Sequence, residues 1–264
     1  MSGGDGVLLV ERRGDLLLVT LNDPDRANAL GPGMIQEITE LYRRPWREEG
    51  VRAILLSGAG KHFSAGADLA HLGSLRDASL EDNRADSLRL RDLFAAILEQ
   101  DALTIAAVHG ACVAGGCGVA TAHDFVVASD DAKFLYSEVK IGFVAALVAT
   151  FLPLRVRGRD LRELLLHPRF LSAEEALEVG IVNRVVPRDE LSGAAEALAA
   201  EILANASSES IARTKRLLLD LVGRPLPDAL DRAAEVNARS RLTDDCRHGV
   251  AHFLEHKKPP VWRG

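Results

Sequence analysis

The fold class predicted by the sequence is α/β, with an all-helical section at the C-terminal end. Three observations predict it. Short apolar runs of strand length alternate with longer stretches of helical spacing through the first two-thirds of the chain. From about residue 190 this alternation gives way to helical spacing throughout. Two of the apolar runs lead straight into small-residue segments, HFSAGADL (62–69) and GACVAGGCG (110–118), whose glycines allow tight turns before a helix begins.

In chain order, the runs 7–10 and 16–21 read as the first two strands. Residues 33–48 then place Met34, Ile38 and Leu41 on one helical face. A strand is expected over 53–56, and a helix over 84–99 with Leu88, Leu90, Leu93, Phe94 and Ile97 on one side. Strands over 104–108, 124–128 and 183–186 complete the α/β part. Helices follow over 188–205, 208–222, 226–241 and 243–255, with Pro225 and Pro227 marking a loop between the middle two. We therefore expect a core over 1–190 that carries the site and a helical assembly region over 191–264.

Composition narrows the function classes. The 264 residues, 47% of them hydrophobic, can bury a large interior. A formal charge of -6, from 32 Lys plus Arg against 38 Asp plus Glu, argues against nucleic acid or anionic membrane as a partner. Three cysteines, Cys112, Cys117 and Cys246, are an odd-numbered and sparse set that does not suit a disulfide framework, and a reducing, cytoplasmic location is expected. The start MSGGDGVLLVERRGD does not read as a secretory signal, and no apolar run approaches the roughly 20 residues that cross a bilayer. There is no GxGxxG opening a dinucleotide unit, no phosphate loop and no nucleophile elbow.

Small-residue turns such as 62–69 and 110–118 can present a backbone N–H to a ligand oxygen without side-chain obstruction. Two such amides converging form an oxyanion hole, which suits acyl groups and above all thioesters. The segments LNDPDRANAL (21–30), AILLSGAGKHFSAGADL (53–69), AVHGACVAGGCGVATAHD (107–124), FLYSEVKIGFVAALV (134–148) and FLEHKKPP (253–260) occur in an order that resembles the enoyl-CoA hydratase/isomerase, or crotonase, superfamily over nearly the whole chain. The resemblance implies a crotonase-like spiral of strand-strand-helix repeats with C-terminal trimerisation helices, assembled as a homotrimer or as a homohexamer built from two trimers. It implies a coenzyme A thioester as substrate and no metal or other cofactor.

By the same resemblance, the N–H groups of Ala67 and Gly115 are the oxyanion donors and Glu138 is the acid/base. Arg26, Ala27 and Ala29, with Ala65, Ala67, Asp68 and Leu69, correspond to the coenzyme A contacts. Phe253 and Lys257 correspond to further contacts from the terminal helix of this or a neighbouring subunit, and His256 stands where a lysine is usual. Without the resemblance, Glu138 would read as a surface glutamate paired with Lys140, and each turn as a turn only.

One departure bears on the reaction. Hydratases of the best-studied type carry a second glutamate where this chain has Gly118, a change that opens room beside the acyl chain or admits another residue from elsewhere in the fold. Candidates for a replacement partner are Asp68, Asp124, His109, Glu81, Asp82 and Asp86, although Asp68 reads better as a helix cap. Leu72, Leu75 and the stretch 76–92 are expected to shape the acyl pocket. His248, His252 and His256 share a helical face that reads as solvated rather than metal-binding, and Cys112 and Cys117 read as packing residues. The expected activity is hydration of a 2-enoyl-CoA. The alternatives are Δ3,Δ2-enoyl-CoA isomerisation and a non-catalytic acyl-CoA-binding role.

Overall fold

A computed structural model describes residues 6–262. Strands β1 (Leu8–Arg13) and β2 (Leu16–Leu21) form a hairpin turning at Gly14, whose φ of 64° is open to a residue without Cβ. Helix α1 (Pro32–Arg43) starts with proline in its first turn and ends five residues short of the expected boundary. The reason is Pro45, which holds Arg44 in extended backbone at φ -69° and ψ 142°.

Next come β3 (Ala53–Gly58), α2 (Leu69–Ser74) and α3 (Leu80–Glu99). Helix α3 begins before the expected residue 84 because the Ser79 side chain caps it, accepting from the Asp82 N–H. Strand β4 (Leu103–Val108) is followed by β5 (Ala111–Val113), α4 (Gly115–Ala122), β6 (Phe125–Ser129) and β7 (Lys133–Leu135). Short helices α5 (Val148–Phe151), α6 (Gly158–Leu166) and α7 (Ala173–Glu178) surround β8 (Leu171–Ser172). After β9 (Arg184–Val186) only helices follow: α8 (Leu191–Asn205), α9 (Ser208–Asp220), α10 (Leu226–Ser240) and α11 (Asp244–His256).

One sheet runs in the order β1-β2-β3-β4-β6-β9, parallel except for the β1–β2 hairpin, and a second runs β5-β7-β8. All residues of β4 are buried, and alternate residues of neighbouring strands go to opposite faces, as a sheet covered on both sides requires. Ile54, Leu56, Ala106, Val108 and Val126 join the core under α1, α3 and α4. Ala53, Leu55, Leu103, Ile105 and Val127 join a second core under Leu191, Ala195, Leu198 and Leu203 of α8. The strands of the second sheet are two or three residues long, too short for an alternating pattern to be visible in sequence.

Burial thins out beyond α8. Helix α9 buries Ala212, while α10 and α11 bury no residue and leave Leu226, Leu230, Val250 and Leu254 exposed. No described helix is long and apolar enough to cross a membrane.

Because α8 lies on the sheet face opposite α3 and α4, Leu198→Ala should cost about 2–5 kcal/mol of stability, through lost transfer energy and a residual cavity. Urea unfolding measures this, with ligand binding by the folded fraction expected to be unaltered.

Candidate active site

Two chain crossings build the site. The turn after β3 and the segment after β4 pair as extended backbone: Phe63 N–H donates to His109 O (2.9 Å), Ser64 N–H to Ala111 O (3.2 Å), and Val113 N–H to Ser64 O (3.0 Å). At Gly66, with φ 82°, a Cβ would sit 2.4 Å from Val113 O, and at Gly110, with φ 53°, it would sit 2.1 Å from Lys61 O. No side chain fits either position, so glycine is required for the approach rather than for flexibility.

A third segment joins from the first turn. Leu30 N–H donates to Gly66 O (2.7 Å) and Ala65 N–H to Ala27 O (2.8 Å). The clamp is Asn28, fully buried and left-handed at φ 53°, a conformation asparagine tolerates better than most residues. Its amide donates to the carbonyls of Ala59, His62 and Phe63, and its Oδ1 accepts from Asp23 N–H.

These crossings bring Ala65, Ala67, Asp68 and Leu69 to one wall of a cavity of about 260 Å³, with Ala114 and Gly115 on another. Neither Ala67 N–H nor Gly115 N–H donates to a backbone carbonyl among the described residues. Gly115 opens α4, whose N-terminal end carries partial positive charge. Ala114 before it is held at φ 46° and ψ -116°, a strained conformation for a residue with Cβ. Two unpaired N–H groups at one cavity are suited to an acyl oxygen that gains negative charge.

Glu138 lines the same cavity. It follows β7 at the start of a 3₁₀ turn that Gly142 closes at φ 74°. Its Oε2 is buried and has no hydrogen-bond partner, so it is not the exposed Lys140-paired carboxylate of the alternative reading. Burial raises its pKa above the ordinary glutamate value, partly opposed by the backbone N–H groups of Glu138 and Ser137.

The expected room beside Gly118 is not there. A Cβ at Gly118 would meet the Phe94 ring at 2.7 Å and Val148 Cγ2 at 2.9 Å. Phe94 of α3 therefore occupies the space that a second carboxylate would need, and glycine there reflects a filled core rather than a widened pocket.

The other predicted residues divide clearly. Asp68 caps α2 by accepting from the N–H groups of Ala70 and His71, and it is ion-paired with Arg26, which lowers its pKa. Arg26, Ala27 and Ala29 lie in the adjoining turn behind Leu30, which lines the cavity. Phe253 and Lys257 lie at the end of α11 and are not in the cavity wall. Asp124 accepts from Thr104 and pairs with Lys215 at 2.6 Å, a structural role. His109 bonds Gly60 O at 3.2 Å, and burial lowers its pKa. Cys117 donates to Cys112 O inside the core. His248, His252 and His256 stack along α11, and no metal-holding group occurs among the described residues.

Of the remaining acids, Asp86 reaches the cavity, and it does so joined to a residue the sequence reading missed. His71 Nε2 lies 2.8 Å from Asp86 Oδ1, and both side chains line the cavity. The available signal was spacing: His71 is three residues beyond the Asp68 cap, on the same side of α2. Leu72 lines the cavity and Leu75 does not; of the stretch 76–92, Asp86, Ser87 and Leu90 do.

A family model described as enoyl-CoA hydratase/isomerase matches residues 11–264. A Thermus thermophilus protein named "Putative enoyl-CoA hydratase" is 43% identical over 248 residues, covering 94% of this chain and 97% of that one. The mitochondrial Delta(3,5)-Delta(2,4)-dienoyl-CoA isomerase of Homo sapiens is 35% identical over 255 residues, covering 92% of this chain and 77% of its own. The crystal structure of an enoyl-CoA hydratase from Mycobacterium smegmatis superposes with a TM-score of 0.89 at 31% identity, covering 98% of this chain and 99% of that one.

Two outcomes follow from the site's packing and charge. Gly118→Ala gains about 1 kcal/mol of helix propensity but meets Phe94 and Val148, and overpacking costs about 1–3 kcal/mol. Net destabilisation is expected, relieved in the Gly118→Ala, Phe94→Leu double variant; a denaturation cycle without coupling would exclude the contact. For Glu138, burial raises the folded pKa above the unfolded value, so wild-type stability falls as pH rises through that interval. Glu138→Gln should thus be the more stable protein at neutral pH, the difference closing as pH falls below about 4.3.

Proposed function

Because the chain belongs to the enoyl-CoA hydratase/isomerase family, we propose that it adds water to, or removes it from, a 2-enoyl-CoA thioester. The observation that carries this reading is the buried, unpartnered Oε2 of Glu138 in one cavity with two unpaired backbone N–H groups.

In this reading the thioester oxygen accepts from Ala67 N–H and Gly115 N–H. A water oxygen bonds to the β-carbon as one of its protons passes to the Glu138 carboxylate, and the C=C electron pair moves onto the thioester oxygen as an enolate. Glu138 then delivers that proton to the α-carbon as the enolate collapses, burial of the carboxyl favouring the protonated form it passes through. One N–H donor of this kind is worth about 3–4 kcal/mol of transition-state stabilisation.

Coenzyme A would lie along the first turn, against Arg26, Ala27, Ala29, Ala65, Asp68 and Leu69. Arg26 keeps about half its side chain exposed despite its pairing with Asp68, so a phosphate can still reach it. Phe253 and Lys257 would contact coenzyme A from a neighbouring subunit of a homotrimer or homohexamer. The apolar residues exposed on α10 and α11 support that assembly role for 191–264. We place this activity in the cytoplasm, with no cofactor beyond the thioester substrate.

A second reading is isomerisation, in which Glu138 moves one proton along the acyl chain. It is favoured by Phe94 filling the place of a second carboxylate, since isomerisation needs one shuttling acid. Purified protein incubated with crotonyl-CoA and with a 3-enoyl-CoA separates the two. Loss of conjugated-thioester absorbance from the first means hydration, and its appearance from the second means isomerisation. Glu138→Gln should lower turnover by about 10²–10⁴-fold. Unchanged substrates across chain lengths, with binding retained, would leave an acyl-CoA-binding protein.

A further inference from the structure

We propose that the His71–Asp86 pair is a specificity-determining end of the acyl cavity, selecting acyl groups that carry a hydroxyl. The inference rests on the acyl-CoA reading of the cavity and goes beyond it.

The cavity is apolar along most of its wall, with Leu30, Leu72, Leu90, Phe143, Val144 and Leu147 among its lining. His71 and Asp86, each about 21% exposed, interrupt it. On α3 the cavity-lining residues Asp86, Leu90 and Phe94 recur every fourth position along one face. Phe94 marks the Gly118 end, so Asp86 sits two turns away, about 12 Å along the helix axis. The pair is thus not a substitute carboxylate at Gly118. It is placed to meet a different part of the acyl group.

Its hydrogen-bonding character is one-sided. Nε2 lies against the Asp86 carboxylate, so that nitrogen carries the proton, and Asp86 also accepts from Arg89 at 3.0 Å. Nδ1 has no partner among the described residues and is an acceptor in the neutral ring. The neighbouring Ser87 hydroxyl, also in the lining, donates to Asn83 O at 3.0 Å and keeps its lone pairs. With the His71 ring neutral, every polar group offered to a ligand here is an acceptor. A hydroxyl donates to it, and a methyl end leaves it unsatisfied.

The competing role is mechanical, since α2 is six residues long and buries none of them, so the pair also ties it to α3. Calorimetric binding of saturated acyl-CoAs to the full chain distinguishes the two, using a ladder of straight chains each prepared methyl-ended and hydroxyl-ended. At one length the hydroxyl form is expected to bind about tenfold more tightly. His71→Phe should abolish that ratio, and the near-isosteric Asp86→Asn should reduce it while keeping the fold. Equal binding of both forms at every length overturns the proposal and leaves the acyl-CoA reading intact. So does a ratio that survives both variants while their melting temperature falls. Binding of neither form removes both readings.

Discussion

Close contact between two backbones, Gly66 against Val113, is the constraint on which the site depends. A single Cβ at position 66 would come within 2.4 Å of a carbonyl oxygen. The contact lets the turn after β3 pair as extended backbone with β5, the segment after β4. Residues 67 and 115 thereby line one cavity although they are distant in sequence. The strain at Ala114 follows from the same geometry: the chain must leave β5 and enter α4 within one residue, while its N–H is held by Leu135 O at 2.7 Å.

Such a site opposes stability locally. Unpaired N–H groups and a buried carboxyl oxygen without a partner are each unfavourable in a folded interior. Compensation comes from the surroundings. Asn28 satisfies three carbonyls of the facing turn with one side chain, and the central strands beneath are buried on both faces with apolar residues sorted by alternation. The parallel sheet is rigid support, and the polar exceptions collect at the ends of its strands, where loops cross.

The cavity walls differ in how firmly they are held. Phe94 and Val148 pack against α4 as part of the main core. Helix α2 is anchored instead by polar contacts at its edges: the Asp68 cap, the Arg26 ion pair and the His71–Asp86 bond. A wall made of a six-residue helix with no buried residue belongs to the low-stability end of the molecule, where ligand-binding elements are commonly found. The acyl group would thus meet a rigid surface on the α3–α4 side and an adjustable one on the α2 side.

Much of this was present in the sequence by itself. Short apolar runs predicted the six strands of the main sheet, helical spacing predicted α1, α3 and α8–α11, and paired glycine-rich turns marked where backbone N–H groups can be presented, because these signals depend only on local geometry. Ala67, Gly115 and Glu138 were legible through five ordered segments. Tertiary structure alone decided what fills the space around them. Nothing near Gly118 in sequence announces Phe94, twenty-four residues away on another helix, and nothing near His71 announces Asp86, because side chains from separate elements meet only once packing sets the distance between those elements.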